Sequence, residues 1–337
     1  MIGRNIKYYR LMKGMSQDDL AQRIGLSKMA VSNYEKGKRN PDMTTCQKIA
    51  RTLDVSLTAL LSQPRQQLCI QHGASMVKKG AQELIFGKLD RYLERLFNIV
   101  SILGAAVLPP SPSIERKPAA NNEEDGQYLR QILGLSPIGP IGNITDILEN
   151  CGFIICPIDE SGFSGNSGTV NGRPYIAVNT TMPAERQRST LIHELAHQVF
   201  IFDDSKDEEK VVDGIAGAFL LPSLDIKREL GLKRKNIMSD LPIIQREYGI
   251  PQPSIVVRAY QTDIINKTHY GMTMKWLNKN DMQLNASSGS EPEKPHLLEQ
   301  LTLRAVSEEM ISISKAAELL ECPLLEVRQK CFGDVLQ

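Results

Sequence analysis

The apolar positions of this 337-residue chain fall first into short helical patterns. In "SQDDLAQRIG", Leu20, Ala21 and Ile24 recur at helical spacing. Ser16 stands where an N-cap belongs, acids fill the first turn and Gly25 ends the run. "SKMAVSNYEKG" runs the same way from Ser27 to Gly37, and two short helices across a glycine-containing turn predict a helix-turn-helix. Two more helical patterns follow around "TTCQKIARTLD" and "SLTALLS". Leu20, Ala21, Ile24, Val31, Ile49 and Tyr34 are the expected core of this small unit. "KLDRYLERLFNIVSIL" (88–103) predicts a connecting or dimerising helix. The apolar run 96–108 is too short to span a bilayer and suits one face of a buried helix.

The pattern then breaks. "PPSPSIERKPAANNEED" (109–125) is proline-rich, then polar, and reads as a linker. Beyond it "ITDILENCG" predicts a helix ending at glycine, while "FIICPID" and "PYIAVN" predict strands. Between the strands, "ESGFSGNSGTVNG" has glycines suited to turns and a hairpin. An apolar helix, "STLIHELAHQVF", comes next, followed by the acidic loop "FDDSKDEEK" and a second helix, "VVDGIAGAFLLP", lasting until Pro222. The chain is helical again from 223 to about 265. "NASSGSEPEKP" (285–295) reads as a flexible linker, and the last forty residues predict a small helical unit.

The fold expected is multidomain α+β. An all-α helix-turn-helix domain (1–65) leads through a helical connector and linker (66–118) to an α+β domain (119–284). That domain has a small sheet and the His193–His197 helix, and a linker with a small helical C-terminal unit (285–337) closes the chain.

Composition is ordinary for a globular protein, with 41% hydrophobic and 23% charged residues. The net charge of +1 conceals an asymmetry. Residues 1–65 hold twelve Lys/Arg against five Asp/Glu, a local +7 that leaves −6 for the rest. The N-terminal part is thus the expected polyanion-binding end. The six cysteines (46, 69, 151, 156, 322, 331) form no C-x-x-C pair and read as free thiols in a reducing cytoplasm. Cys151 and Cys156 flank a strand and are expected as small core residues. No signal peptide or membrane span is expected.

The chemistry lies in "HELAH". His193 and His197, four apart on a helix, share one face and can turn toward one ion. Glu194 is rotated a quarter-turn away, where it can reach a metal-bound water as general base. The apolar flanks Leu191, Ile192, Leu195, Ala196, Val199 and Phe200 bury the helix. A buried Glu between two histidines is costly unless a cation compensates. Zinc needs a third protein ligand, and Asp203, Asp204, Asp207, Glu208, Glu209 and Asp213 all offer one; spacing does not choose among them.

"ERQRSTLIHELAHQVF…EEKVVDGIAGAFLLP", with the strands before it, resembles the ImmA/IrrE family of metallopeptidase domains. In that family an R-x-R-F-T-x-x-H-E-x-x-H helix precedes E-x-x-A-N-x-F-A. The resemblance implies one Zn2+ per chain, held by His193, His197 and, as the Glu opening the second motif, Glu209. Val212, Asp213 and Ile215 stand where Ala, Asn and Phe are usual, and Ser189 replaces a Phe.

The opening segment is similar to the Xre/Cro-type helix-turn-helix. That implies a recognition helix bearing Ser27, Lys28, Met29, Ser32 and Asn33 in a major groove, with Gln17 at a phosphate or base edge. Lys36, Lys38 and Arg39 would grip phosphates. The expected function is a cytoplasmic, homodimeric transcription regulator that binds double-stranded operator DNA. Its zinc-dependent domain would cleave a specific protein, a repressor. Two rivals stand beside it: a regulator whose zincin-like domain senses a ligand or binds a partner regulator without proteolysis, and a protease whose helix-turn-helix only docks onto a repressor.

Overall fold

The computed structural model describes residues 2–61, 68–72, 79–112, 115–119, 121–202, 207–280 and 287–333. The chain divides into two compact units, Met1–Gln67 with Val77–Glu94, and Leu68–Met76 with Arg95–Gln337.

The first unit holds α1 (Ile2–Met12), α2 (Gln17–Ile24), α3 (Lys28–Glu35), α4 (Met43–Leu53) and α5 (Leu57–Leu61). Caps written into the sequence set their ends. Ser16 and Asp19 form a reciprocal capping box at the start of α2. Gly25 closes that helix in the left-handed region, with φ 72°. Ser27 and Asp42 cap α3 and α4. Ile6, Leu20, Ala21, Ile24, Val31, Tyr34, Ile49, Leu53 and Leu60 close into one core.

The second unit is built around a four-stranded mixed sheet in the order β1-β3-β4-β2. Its strands are β1 (Leu68–His72), β2 (Ile154–Ile158), β3 (Gly165–Val170) and β4 (Arg173–Asn179). β2 and β4 are legible as apolar runs; β1 and β3 are not. β3 lies in the glycine-rich stretch read as turns and a hairpin; it pairs with β4 across that hairpin and with β1 on its other side, with little help from β propensity. Asn171 and Gly172, with φ 50° and 76°, make the tight turn joining β3 to β4. β1 falls in the stretch expected to be a helical connector, yet it pairs antiparallel with β3.

The helices that follow in the chain are α6 (Lys79–Leu103), α7 (Asn122–Ile132), α8 (Ile144–Asn150), α9 (Ala184–Val199), α10 (Glu208–Leu220) and α11 (Ser223–Leu230). α12 (Leu241–Tyr248), α13 (Gln252–Gln261) and α14 (Lys267–Lys279) complete the main body. α6 begins nine residues before the expected helix, and Leu89, Leu93, Leu96, Ile99 and Val100 on it are buried. The core gathers Ile155, Ile176 and Val178 of the sheet with Leu191, Ile192 and Leu195 of α9 and Ile215 and Phe219 of α10. α15 (Leu297–Ser307), α16 (Ile313–Leu320) and α17 (Leu324–Phe332) form the C-terminal helices, with a small cluster of their own. Among the described residues no helix is long and apolar enough to cross a membrane. The five described thiols are unpaired, and Cys156 is buried in β2, where burial pushes its thiol up. The side chain of Cys69 and the whole of Arg65 lie outside the described residues.

Two stretches read as linkers are instead tied down where they are described. In the first, Arg116 bridges Phe200 as a short parallel pair, its N–H donating to Val199 O at 2.9 Å. In the second, Glu293 pairs with Arg188 while Gln187 exchanges two hydrogen bonds with the Glu293 backbone, at 2.7 and 2.8 Å. Ser288 N–H donates to Glu185 Oε1 at 2.8 Å. Composition sees only the lack of apolar periodicity in such segments. Hydrogen bonds to a distant helix leave no mark on it. Residues 113–114, 120 and 285–286 of these stretches lie outside the described residues.

Candidate metal centre and nucleic-acid interface

α9 starts directly after Pro183, and its apolar positions bury it against the sheet, so the two histidines share the side toward α10. Their Nε2 atoms lie 3.1 Å apart. α10 opens at Glu208 and sets the Glu209 carboxylate 3.3 Å from His193 Nε2 and 3.6 Å from His197 Nε2. The opposite ring nitrogens are held by two further carboxylates. His193 Nδ1 lies 2.9 Å from Asp213 Oδ1, and His197 Nδ1 2.8 Å from Glu208 Oε1.

This arrangement has an electrostatic consequence. A carboxylate accepting Nδ1–H selects the tautomer whose Nε2 lone pair faces inward. Two such lone pairs and a carboxylate therefore converge on one space, which is repulsive until a cation sits there. A tetrahedral ion with bonds of 2.0–2.1 Å sets its ligand atoms about 3.3 Å apart. The separations of 3.1, 3.3 and 3.6 Å bracket that value. His193, His197 and Glu209 thus fit a divalent ion, and two imidazoles with one carboxylate suit zinc. Burial of the His193 ring opposes its charge. The Asp213 hydrogen bond and the charges of Glu194, Asp213 and Glu209 outweigh that, so its pKa lies above the ordinary histidine value.

Glu194 is turned the other way, toward β3. Its Oε2 accepts a hydrogen bond from Ser167 Oγ at 2.7 Å. At 4% exposure it is buried, and burial pushes its carboxyl pKa up against the opposing pull of Ser167 and His193. A raised carboxyl pKa makes a better proton acceptor near neutrality. The close approach requires glycine at 165, where a Cβ would stand 2.6 Å from Thr190 Cγ2 and 3.2 Å from Glu194 Cγ.

Of the six acids open as third ligand, Glu209 faces both imidazoles, while Glu208 and Asp213 stand behind the rings. Asp207 is at the N-cap position of α10 without a side-chain cap bond. Asp203 and Asp204 lie outside the described residues. Sequence reasoning missed the orienting contacts of Glu208, Asp213 and Ser167. Asp213 carried a signal, since it lies one turn beyond Glu209 on the same helical face; Ser167 carried none.

In the first unit, Ser27 accepts Ala30 N–H at 3.2 Å and so starts α3. Lys28 and Met29 are exposed on the first turn of α3, and Ser32 and Asn33 are half-buried. The Asn33 carbonyl accepts the N–H groups of Lys38 and Arg39, which orders the turn carrying exposed Lys36, Lys38 and Arg39. Lys28 Nζ pairs with Asp18 at 3.2 Å. Gln17 is turned toward the protein, donating to Glu35 Oε2 at 2.7 Å. Glu35 also accepts from Arg10 Nε at 2.6 Å and Nη2 at 3.0 Å, which ties α1, α2 and α3 together.

The helix-turn-helix family matches residues 6–60, and a peptidase family, the IrrE N-terminal-like domain, matches residues 154–260. YqaE of Bacillus subtilis, described as an uncharacterized HTH-type transcriptional regulator, is 30% identical over 105 residues, 30% of this chain and 90% of that protein. The HTH-type transcriptional regulator SinR of the same organism is 37% identical over 67 residues, 20% of this chain and 60% of that protein. A solved structure, ComR from S. thermophilus in complex with DNA and its signalling peptide ComS, aligns over 100% of both chains. Its TM-score of 0.18 and 14% identity are too slight to bear on the fold.

Proposed function

The chain belongs to the HTH-type transcriptional regulators, and from that membership we propose that it binds operator DNA through residues 1–65 and cleaves a specific repressor protein through residues 119–284. The observation that carries the second half is the convergence of His193 Nε2, His197 Nε2 and the Glu209 carboxylate beside a buried Glu194 that Ser167 holds in place. His193, His197 and Glu209 would hold zinc, and Glu208 and Asp213 would keep their imidazoles oriented for it. When bound, zinc brings the pKa of a water down to about 7. Glu194 accepts a proton from the attacking water and returns it to the departing amine nitrogen. Ser167 holds the Glu194 carboxylate in place for both transfers. The DNA-contacting set is Ser27, Lys28, Met29, Ser32, Asn33, Lys36, Lys38 and Arg39, with Gln17 buttressing the helix.

A domain this small covers one half-site, so the regulator works in the cytoplasm as a homodimer on an inverted repeat, with half-sites about one helical turn apart. The C-terminal helices supply the dimer contact, since α17 leaves Leu325 and Phe332 exposed. The peptidase is narrow: the isolated protein leaves casein intact.

The test is elemental analysis with cleavage of regulators encoded beside it. The parent chain holds one zinc and cuts one of them. Glu194→Gln keeps the metal and loses cleavage, and His197→Ala loses both. Full occupancy in His197→Ala would sink the metal assignment. A loaded parent that cuts none of these regulators would leave the domain a sensor.

A further inference from the structure

A cleft of about 530 Å³ lies along α7, within the size range of small-molecule sites. Of the side chains lining it, Arg130 is the most buried, 1% exposed. Its guanidinium donates to three main-chain carbonyls, Phe219 O at 2.7 Å, Ser136 O at 2.9 Å and Gly139 O at 3.0 Å, and among the described residues to no carboxylate. Buried charges are ordinarily paired. Asp225 and Glu123 act on Arg130 through space, but each is engaged elsewhere. Asp225 accepts Gly139 N–H at 2.7 Å and pairs with Arg228, while Glu123 accepts Ser223 N–H at 2.7 Å and pairs with Arg258. Burial lowers the Arg130 pKa to about 10 against the pull of those charges.

Arg116 lines the same cleft, its guanidinium carbon 4.4 Å from the centre of the Tyr128 ring. One of its five side-chain N–H groups meets Glu124 Oε1 at 2.9 Å, and among the described residues the other four have no partner. The Gln131 amide and the Tyr128 hydroxyl, also at the cleft, make no hydrogen bond among the described residues either. Leu135 and Pro137 add apolar surface. The lining thus sets two guanidiniums against one carboxylate, with donors left over beside apolar surface.

We propose that this cleft binds a small organic anion, one carboxylate on an apolar body, and that the occupied cleft steadies the end of the metal-bearing helix. The carboxylate takes the place of Glu124 on Arg116, as a two-bonded pair, and offsets the charge that Arg130 brings to the cleft. The body covers Tyr128, Leu135 and Pro137. A free carboxylic acid and the last residue of a peptide share this chemistry. The link to α9 is the main chain of Arg116, which donates to Val199 O and accepts from Ile201 N–H, both at 2.9 Å. The Tyr128 ring also lies 6.2 Å from that of Phe200. An anion held by Arg116 therefore opposes opening of this pair. The proposal is independent of the peptidase reading.

The test is calorimetric titration of the full chain with three probes: 3-phenylpropionate, its neutral amide, and N-acetylphenylalanine as the end of a peptide. Both acids should bind, and the amide about tenfold more weakly or worse, since it cannot answer the guanidiniums. Whichever acid binds more tightly identifies the source, a free acid or a peptide end, and either ranking upholds the site. Arg116→Gln should weaken the acids about tenfold or more. Glu124→Gln removes the rival for Arg116 and should tighten them severalfold, a gain that misfolding does not imitate. In hydrogen exchange, saturating acid should slow the Arg116 and Ile201 amides. No binding of either acid at about 10 mM, equal binding of acid and amide, unchanged affinity in either variant, or unaltered exchange at saturation would each overturn the proposal.

Discussion

Truncating Arg188 tests whether the segment before α15 is a structural strap. Arg188 sits on α9, five residues before His193, and its side chain and that of Glu293 are each 10% exposed. Besides the ion pair, Arg188 donates to Gly142 O and Ile141 O, both at 2.8 Å. Glu293 Oε2 accepts from Thr145 N–H at 2.9 Å and Thr145 Oγ1 at 3.3 Å. Arg188→Ala leaves a buried carboxylate with Thr145 alone and two carbonyls without their donors. Removing one member of such a pair costs about 3–5 kcal/mol. For a unit of this size that is about 2–4 °C per kcal/mol, a fall in Tm of about 6–20 °C. Urea unfolding should show a lower midpoint at unchanged m. Once the strap is undone, Glu293→Ala adds little more, so the double-mutant cycle should return a coupling of about 2–3 kcal/mol. An Arg188→Ala chain within about 1 kcal/mol of its parent, with coupling near zero, would refute the strap and restore the flexible linker.

Three further outcomes follow from side chains already described. Burial pushes the Glu149 carboxyl up to about 7, against the pull of the His296 and Leu297 N–H groups it accepts and with help from Asp146. The folded state then holds a proton the unfolded chain releases. Stability should fall by roughly 3 kcal/mol as pH rises from about 4.5 to about 7 and level off above. Glu149→Gln should flatten this slope, and superimposable pH–stability curves would contradict it. Glu35→Ala leaves the Arg10 guanidinium, 7% exposed, with the Met15 carbonyl but no counter-charge, and should cost about 3–5 kcal/mol in the first unit, with loss of operator binding. Native melting and DNA affinity in that variant would dismiss the network. Lys38→Ala should weaken binding to all DNA alike and reduce the salt slope by about one, whereas Lys28 or Ser32 changes should relax sequence choice. A salt-titrated series in which Lys38→Ala altered preference between sequences would reverse those roles.

What is legible in the chain is what depends on near neighbours. Four-residue spacing puts His193 and His197 on one helical face whatever they pack against, and Ser16, Gly25 and Ser27 cap their helices through bonds to residues three or four away. The Asn171–Gly172 turn is local in the same sense. Contacts between distant segments leave no such trace. Glu208, Glu209 and Asp213 lie within six residues and have the same chemistry. The angle at which α10 meets α9 determines which of them faces both Nε2 atoms and which stand behind the rings. Ser167 meets Glu194 only because β3 runs under α9 with a glycine at 165. β3 itself, poor in strand-forming residues, is a strand because β1 and β4 flank it, and β1 is invisible until β3 pairs with it. The strap through Glu293 has the composition of a linker because its partners, Gln187 and Arg188, are more than a hundred residues away. Periodicity reports which face of an element is buried; which partner buries it is decided when the elements pack.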